Sequence, residues 1–338
     1  MTPSVALPIA FESDIVQTVE NNKDNNKSKV RIGIPRALLF HKYGKLWEAF
    51  FRELGCDVIV SPETNKDIVA RGINHTVDET CLSVKIYVGH VDWLQDKADY
   101  VFVPNIVCLH RGEELCVKFL GLVDIIRNTY PKTKILEYTV DSETRRNETT
   151  GLIAVGTKLT GNPVKAVAAY LKARNKFRDE LAKKISTQHE QVQTGKDPDA
   201  ISILVASHPY TTYDNFLGRP IINYLTKLGV NIIYSDRLES AMAKELSKNI
   251  AKTLYWSYHK ELLGAVEYYK KHADGIIFLT TFPCGPDSLI INLCQSRMEK
   301  IPNILITLDE LESGVGLQTR LESFVDIIKL QKSAKVKQ

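Results

Sequence analysis

Six cysteines carry the most distinctive chemistry in this 338-residue chain, and two of them lie at predicted helix starts. Cys81 follows Asp78, a residue type that caps helices, and Cys284 is followed by Gly-Pro-Asp. We expect Cys81 about three residues into the first turn of its helix. A thiol there faces unpaired backbone N–H groups and the positive end of the helix dipole, which favour the thiolate that metals bind.

A third cysteine, Cys116, lies in the segment RGEELCVKFLG, which follows a predicted strand. Three or four cysteines could therefore reach one cleft. The chain contains no C-x-x-C pair, which argues against a zinc ribbon or a thioredoxin motif. On the residues alone, a metal or cluster site and a set of unrelated thiols both remain open.

The other three cysteines have simpler interpretations. Cys56 precedes a predicted core strand and Cys294 lies on a predicted helix, so we predict that both are small buried hydrophobes. Cys108 is predicted in the loop after a strand, at the position that corresponds to Cys284 in an internal repeat. It is either a fourth metal ligand or a buried thiol beside the site, and we favour the second.

The elements that would position these residues are alternating strands and helices, the pattern of parallel α/β units. The segment ELGCDVIVS ends one helix–strand unit, and KLGVNIIYS ends a second one far downstream. We predict two flavodoxin-like or Rossmann-like α/β halves whose parallel sheets are flanked by helices and face a shared cleft. The alternative to an internal repeat is that any two such units look alike by chance.

This interpretation divides the chain into five parts. A helix that starts at Asn162-Pro163 and a polar linker would connect the two halves. The predicted parts are a disordered tail at 1–29, a first α/β domain at 30–150, a connecting helix and linker at 151–199, a second α/β domain at 200–330 and a basic tail at 331–338.

Several polar residues outside the cysteines are candidates for function. Arg36 follows the first strand and could meet an anionic ligand. His208 and Tyr210 follow the first strand of the second half, where a phosphate or thioester could bind, although a histidine that anchors the loop is the alternative. Glu79 and Glu310 could donate protons near the site, or they could cap helices. No G-x-x-x-x-G-K-[ST] or G-x-G-x-x-G motif occurs, so no nucleotide site of those types is predicted.

Composition excludes several classes of protein. The net charge of +4 is small and spread along the chain, so nucleic-acid binding is not expected. No apolar run approaches the roughly 20 residues of a membrane span, and the N-terminal residues lack the pattern of a signal peptide. We therefore expect a soluble cytoplasmic protein whose cysteines are thiols or metal ligands.

Six segments together resemble the 2-hydroxyacyl-CoA dehydratase and benzoyl-CoA reductase superfamily, and in particular its activase-related branch. The resemblance covers roughly residues 30 to 330, and CGPDS with TRLESFVD is its most specific combination. The segments are GIPRALLFHKYGKLWEAFFRELG, NHTVDETCLSVKIYVGHVDWL, RGEELCVKFLGL, LYWSYHKELLGA, DGIIFLTTFPCGPDSL and LDELESGVGLQTRLESFVDII.

The resemblance implies a [4Fe-4S] cluster held by Cys81, Cys116 and Cys284 between two flavodoxin-like halves. Three cysteines leave one iron open to water, substrate or another side chain. The resemblance also implies a partner, an ATP-hydrolysing activase with its own iron–sulfur cluster, which supplies single electrons. The chain departs from the family pattern at Val117, where proline is usual, and at Leu311, where the acidic motif has histidine.

Two functional hypotheses follow. The first is an iron–sulfur protein that accepts electrons from the activase for reduction or dehydration of an acyl-CoA-like substrate. The second is a non-catalytic component that binds a cluster or a ligand for a partner protein. The chain could form a dimer. The sequence does not identify a substrate.

Overall fold

A computed structural model describes residues 29–194, 200–298, 301–310 and 314–336. These residues form two α/β lobes, each with a mainly parallel sheet flanked by helices, as predicted. The predicted N-terminal tail and most of the predicted linker lie outside the described residues. In the described part of the chain, no helix is both long enough and apolar enough to cross a membrane.

The first lobe is built on a five-stranded sheet in which β1 lies between β2 and β3. Strands β2 and β5 extend the sheet in parallel, and the short β4 pairs with the end of β3 in the antiparallel direction. The strands are β1 Arg31–Ile34, β2 Asp57–Val60, β3 Tyr100–His110, β4 Glu113–Glu114 and β5 Ile135–Asp141. The helices are α1 Phe40–Glu53, α2 Lys66–Asn74, α3 Leu82–Leu94, α4 Val117–Leu120, α5 Leu122–Thr129 and α6 Glu148–Thr160.

The second lobe has a four-stranded parallel sheet with the order β7-β6-β8-β9. Its strands β6 and β8 are buried along their whole length, as expected for the centre of a parallel sheet. The strands are β6 Ser202–Ala206, β7 Asn231–Tyr234, β8 Gly275–Thr281 and β9 Asn303–Leu308. The helices are α8 Pro209–Thr212, α9 Gly218–Lys227, α10 Ser240–Ser247, α11 Ser257–Tyr269, α12 Gly285–Arg297 and α13 Gly314–Val336.

The predicted internal repeat is present in both lobes. The ELG and KLG segments end helices α1 and α9, and each leads into the edge strand of its sheet. Gly55 and Gly229 follow these helices with φ values of 90° and 77°, the left-handed conformation that glycine adopts without strain. The two chain segments therefore form equivalent units.

Helix α7, Pro163–Thr194, connects the lobes, and Asn162 caps it by accepting a hydrogen bond from the backbone N–H of Lys165. Helix α13 continues to Val336, into the segment 331–338 that was predicted as a basic tail. Its last turns carry no proline or glycine, and Lys332 donates a hydrogen bond to the carbonyl of Ala200.

Side chains from both lobes join in one hydrophobic core and in buried polar contacts. Thr64 of the first lobe donates to the Asp214 carboxylate of the second at 2.5 Å. The ammonium of Lys85, a side chain that is 4% exposed, lies 3.1 Å from Glu310. These contacts fix how the two lobes face each other.

Helices α2 and α3 approach each other through two glycines, and this contact positions α3, the helix that begins next to Cys81. A Cβ atom on Gly89 would lie 2.0 Å from the carbonyl oxygen of Ile68. We expect Gly89→Ala to lower the free energy of unfolding by about 3 kcal/mol, the upper end for overpacked sites. Urea unfolding of both proteins measures the change.

Gly316→Ala is the control, since a Cβ atom at Gly316 meets no atom within 4 Å. That substitution should leave stability unchanged or raise it by up to about 1 kcal/mol. An equal effect of both substitutions would contradict the close approach of the two helices.

Candidate functional site

Three thiols that were predicted to meet do line one cavity between the lobes. Cys81, Cys116 and Cys284 each occupy the residue directly before a helix, namely α3, α4 and α12. The other side chains that line this cavity come from several elements: Leu38, Ser83, Val84, Leu115, Lys118, Phe119, His208, Tyr210, Trp256, Tyr258, His259 and Thr281. Three helix N-termini therefore border one cavity.

Contacts between the lobes hold Cys81 close to the loop that carries Cys284. The backbone N–H of Leu82 donates to the carbonyl of Phe282 at 2.9 Å, and the hydroxyls of Ser83 and Thr281 are 3.1 Å apart. The predicted helix start at Asp78 was wrong, because helix α3 begins at Leu82. The residues before it form a turn, in which the N–H of Thr80 donates to the carbonyl of Val77.

Burial dominates the electrostatics of the three thiols. It raises the pKa of Cys81, Cys116 and Cys284, and the neighbouring Asp287 carboxylate raises each pKa further. Backbone N–H groups of the following helix turn act in the opposite direction, as the sequence predicts, but their effect on the pKa is smaller. The thiols are therefore protonated at neutral pH unless a cation compensates their charge.

The remaining cysteines do not line this cavity. Cys108 lies within strand β3 instead of in the predicted loop, and its thiol donates to the carbonyl of His110 at 2.8 Å. Burial raises the pKa of Cys56 to about 11 and that of Cys294 to about 12, as it does for thiols packed among apolar groups. Cys294 is buried, as predicted, whereas Cys56 is only half-buried.

Of the two acidic candidates, neither lines the thiol cavity. Glu79 lies exposed in the turn before Cys81. Glu310 pairs with Lys85, and hydrogen bonds, including the one from Lys85, hold the pKa of its carboxyl below the ordinary value despite partial desolvation. A role for Glu310 in joining the lobes agrees with this placement.

A hydrogen-bonded polar cluster next to the cavity is centred on Asp287. Oδ1 of Asp287 lies 2.9 Å from Nε2 of His208 and 2.8 Å from Nε2 of His259. Its other oxygen accepts a hydrogen bond from the Thr280 hydroxyl at 2.7 Å. Asp287, His208 and His259 are only 3%, 3% and 5% exposed. The two histidines hold the pKa of the carboxyl far below its ordinary value even though the group is buried, so Asp287 is ionised.

Sequence reasoning singled out His208 but missed its two partners. Asp287 was interpreted only as a helix-starting residue, and nothing in the local pattern marked His259. Tyr210, the other candidate of this segment, stacks on His208 with ring centres 5.1 Å apart. Burial raises the pKa of Tyr210, and the charges of Asp287 and the three cysteines raise it further, so its hydroxyl stays protonated.

Arg36 lies in a different place, a larger cleft of about 530 Å³ between the lobes. Its backbone N–H and its Nε both donate to Ser61, at 2.7 and 3.0 Å. His208 and Tyr258 line both this cleft and the thiol cavity, so these two side chains separate the two spaces.

Comparison with known proteins gives one assignment. A comparison with curated proteins found no match. Among solved structures, the Ni²⁺ complex of the binding protein FpvC from P. aeruginosa is 12% identical, with 90% of this chain and 98% of that chain covered and a TM-score of 0.28. Glucosamine-6-phosphate deaminase from Thermotoga maritima is 9% identical, with 96% and 92% covered and a TM-score of 0.22. Neither likeness is close enough to carry an argument about this chain.

The family comparison covers more than half of the chain. Residues 31–238 match the family described as the CoA enzyme activase uncharacterised domain (DUF2229). The matched region runs from β1 to the loop after β7, and it includes Cys81, Cys116 and His208. The chain therefore belongs to the CoA enzyme activase uncharacterised domain family.

Proposed function

We propose that this protein is an iron–sulfur electron carrier of the 2-hydroxyacyl-CoA dehydratase type. Cys81, Cys116 and Cys284 would hold a [4Fe-4S] cluster. An ATP-dependent activase would supply single electrons for reduction or dehydration of an acyl-CoA-like substrate. The observation that carries this proposal is the convergence of three helix-start thiols on one cavity.

The donor set fits a cluster better than it fits one metal ion. Among the described residues, the group whose ligand atoms all lie within 4.8 Å of one another is His208, His259 and Asp287, and the three thiols are not such a group. Ligands of one tetrahedral ion must be closer, since zinc–sulfur bonds are about 2.3 Å long. In a cubane cluster each cysteine binds a different iron, so the sulfur atoms of the three cysteines lie farther apart than the ligands of one ion.

The protein would contribute charge, orientation and shielding at this site. Backbone N–H groups at three helix starts stabilise negative charge on the sulfurs. Phe119, Trp256 and Tyr258 line the cavity and limit access of water. When bound, the cluster would supply one-electron transfer. Asp287 would hold the two imidazoles in place without itself facing the cavity.

The family description supports a connection to CoA-dependent enzymes. The chain carries no sequence motif for ATP binding of the two types considered, so ATP hydrolysis would belong to the partner. The cleft next to the thiol cavity offers Arg36 and a neighbouring lysine, Lys184, to an anionic part of the substrate.

A second function is favoured by that same cleft. A space of about 530 Å³ is large enough for a small molecule, so the protein could bind a ligand for a partner without holding any metal. This function requires the thiols to stay free.

Anaerobic purification followed by iron and sulfide analysis and EPR decides between the two. We expect about four iron and four sulfide per chain. We also expect an EPR signal that appears after addition of a strong reductant or of a reduced activase with ATP. The protein alone should not hydrolyse ATP. Protein without iron and sulfide after anaerobic reconstitution would refute the electron-carrier proposal and leave the ligand-binding function.

A further inference from the structure

The hydrogen bonds around Asp287 determine which ring nitrogens of His208 and His259 carry protons. An ionised carboxylate only accepts hydrogen bonds, so both Nε2 atoms, at 2.9 and 2.8 Å, must be N–H donors. In the neutral imidazole the other nitrogen, Nδ1, then has a free lone pair.

Both rings border the cavity that the three cysteines line. Buried side-chain nitrogens that have no partner and no access to solvent include Nδ1 of His90, but not Nδ1 of His208 or His259. The free nitrogens of the Asp287 pair are thus not sealed in the core. The cavity is the open space next to both rings.

This arrangement is the one that metal-binding histidines adopt. A ligating imidazole almost always donates its second N–H to a carboxylate or carbonyl, which fixes the tautomer and the ring orientation. The carboxylate is in turn fixed by a further hydrogen bond, here from the hydroxyl of Thr280 at 2.7 Å. Histidine also replaces cysteine as an iron ligand in Rieske clusters.

We propose that an imidazole of the His208–Asp287–His259 cluster binds, through Nδ1, the iron that the three cysteines leave open. The proposal rests on the proposed function, because it requires the cluster. It assigns one of the two histidines, His208 or His259, as the nitrogen donor to that iron, and Asp287 as the residue that positions both rings.

The other polar groups that line the cavity are poorer ligands. The hydroxyls of Ser83 and Thr281 are already engaged with each other at 3.1 Å. Lys118 carries an ammonium, which has no lone pair to donate. Of the side chains that line the cavity, the two imidazoles are the ones whose hydrogen bonds to Asp287 leave a ring nitrogen, Nδ1, for another partner.

The test uses the reconstituted full-length protein, reduced and labelled with ¹⁵N at histidine. Pulsed EPR should show a strong nitrogen coupling that changes from the ¹⁴N to the ¹⁵N pattern on labelling. His208→Gln and His259→Gln are compared with the parent at equal iron content, and the strong coupling should be lost in one of them. Asp287→Asn should weaken or shift it, because the amide no longer fixes both Nε2–H tautomers.

His90→Gln is the matched control, since His90 is fully buried but lies outside the thiol cavity. It should keep the coupling. A cluster with normal iron content and no histidine coupling would overturn this inference and leave the three-cysteine cluster intact. Protein without any cluster would refute the proposed function instead. Metal retained stoichiometrically when all three cysteines are serine would place a separate ion on the histidines and would also overturn the inference.

Discussion

Replacing Cys81, Cys116 or Cys284 with serine is expected to remove most of the iron from anaerobically purified protein. Each thiol would bind a different iron, so each loss opens a further corner of the cluster. Substitution of a residue that only hydrogen-bonds to a metal ligand already costs about 10–100-fold in metal affinity. Loss of a ligand itself should cost at least as much, so we expect each variant to retain less than about a tenth of the parent's iron. Iron and sulfide analysis and visible absorption measure the loss.

Matched controls come from the cysteines outside the cavity. Cys56→Ser and Cys294→Ser should keep the iron and lose only about 1–3 kcal/mol of stability, because each buries a hydroxyl among apolar groups. Cys108→Ser should keep it as well, since that thiol is engaged with the carbonyl of His110. Equal iron in all six variants, or none in the parent, would show that the cluster assignment is wrong.

Local patterns marked Cys81 and Cys284, the family resemblance added Cys116, and neither pointed to the polar cluster beside them. Cys284 and Cys81 stand next to capping and turn residues, and such signals lie within a few positions of the thiol. The Asp287 cluster has no such signal, because His208 and His259 lie 79 and 28 positions from Asp287. Only the packing of α11 and α12 against the end of β6 brings them together.

For the fold as well, local sequence signals predicted some features, and features that depend on contacts between distant segments were missed. Gly55 and Gly229 marked the ends of equivalent helices, and the repeated strands fixed the two-lobe architecture. Strand β3, in contrast, runs on to His110 and includes Cys108, which was predicted to lie in the loop after the strand. Its extension pairs with β5 and β4, and these partners are separated from it in sequence.

Lowering the pH from 6.5 to 4.5 is expected to destabilise the folded protein, with His90 as a principal cause. His90 is fully buried, and desolvation lowers its pKa from 6.5 to about 3; His41 and Arg36 act in the same direction, and Asp214 opposes them. Between these two pH values the unfolded chain binds a proton at this position and the folded chain does not. Stability therefore falls as the pH falls through this window.

The size of the effect follows from the proton count. One proton difference changes the free energy of unfolding by about 1.4 kcal/mol per pH unit. Because the unfolded histidine is only half protonated at pH 6.5, His90 contributes slightly less than one full proton, a loss of about 2.5 kcal/mol over the two units. The lowered pKa of His259 adds a loss of the same sign. The raised pKa of the half-buried Asp236 acts in the opposite direction. Urea unfolding at several pH values measures the sum.

A His90→Gln variant isolates the contribution of this one residue. Glutamine can keep a hydrogen bond to Thr64, which lies 3.0 Å from Nε2 of His90, but it does not titrate. The variant should be less stable than the parent at pH 6.5, and the difference should shrink by about 2.5 kcal/mol at pH 4.5, because the other groups titrate equally in both proteins. If the unfolding free energies of the parent and the variant fell in parallel as the pH is lowered, His90 would not be held neutral in the folded core.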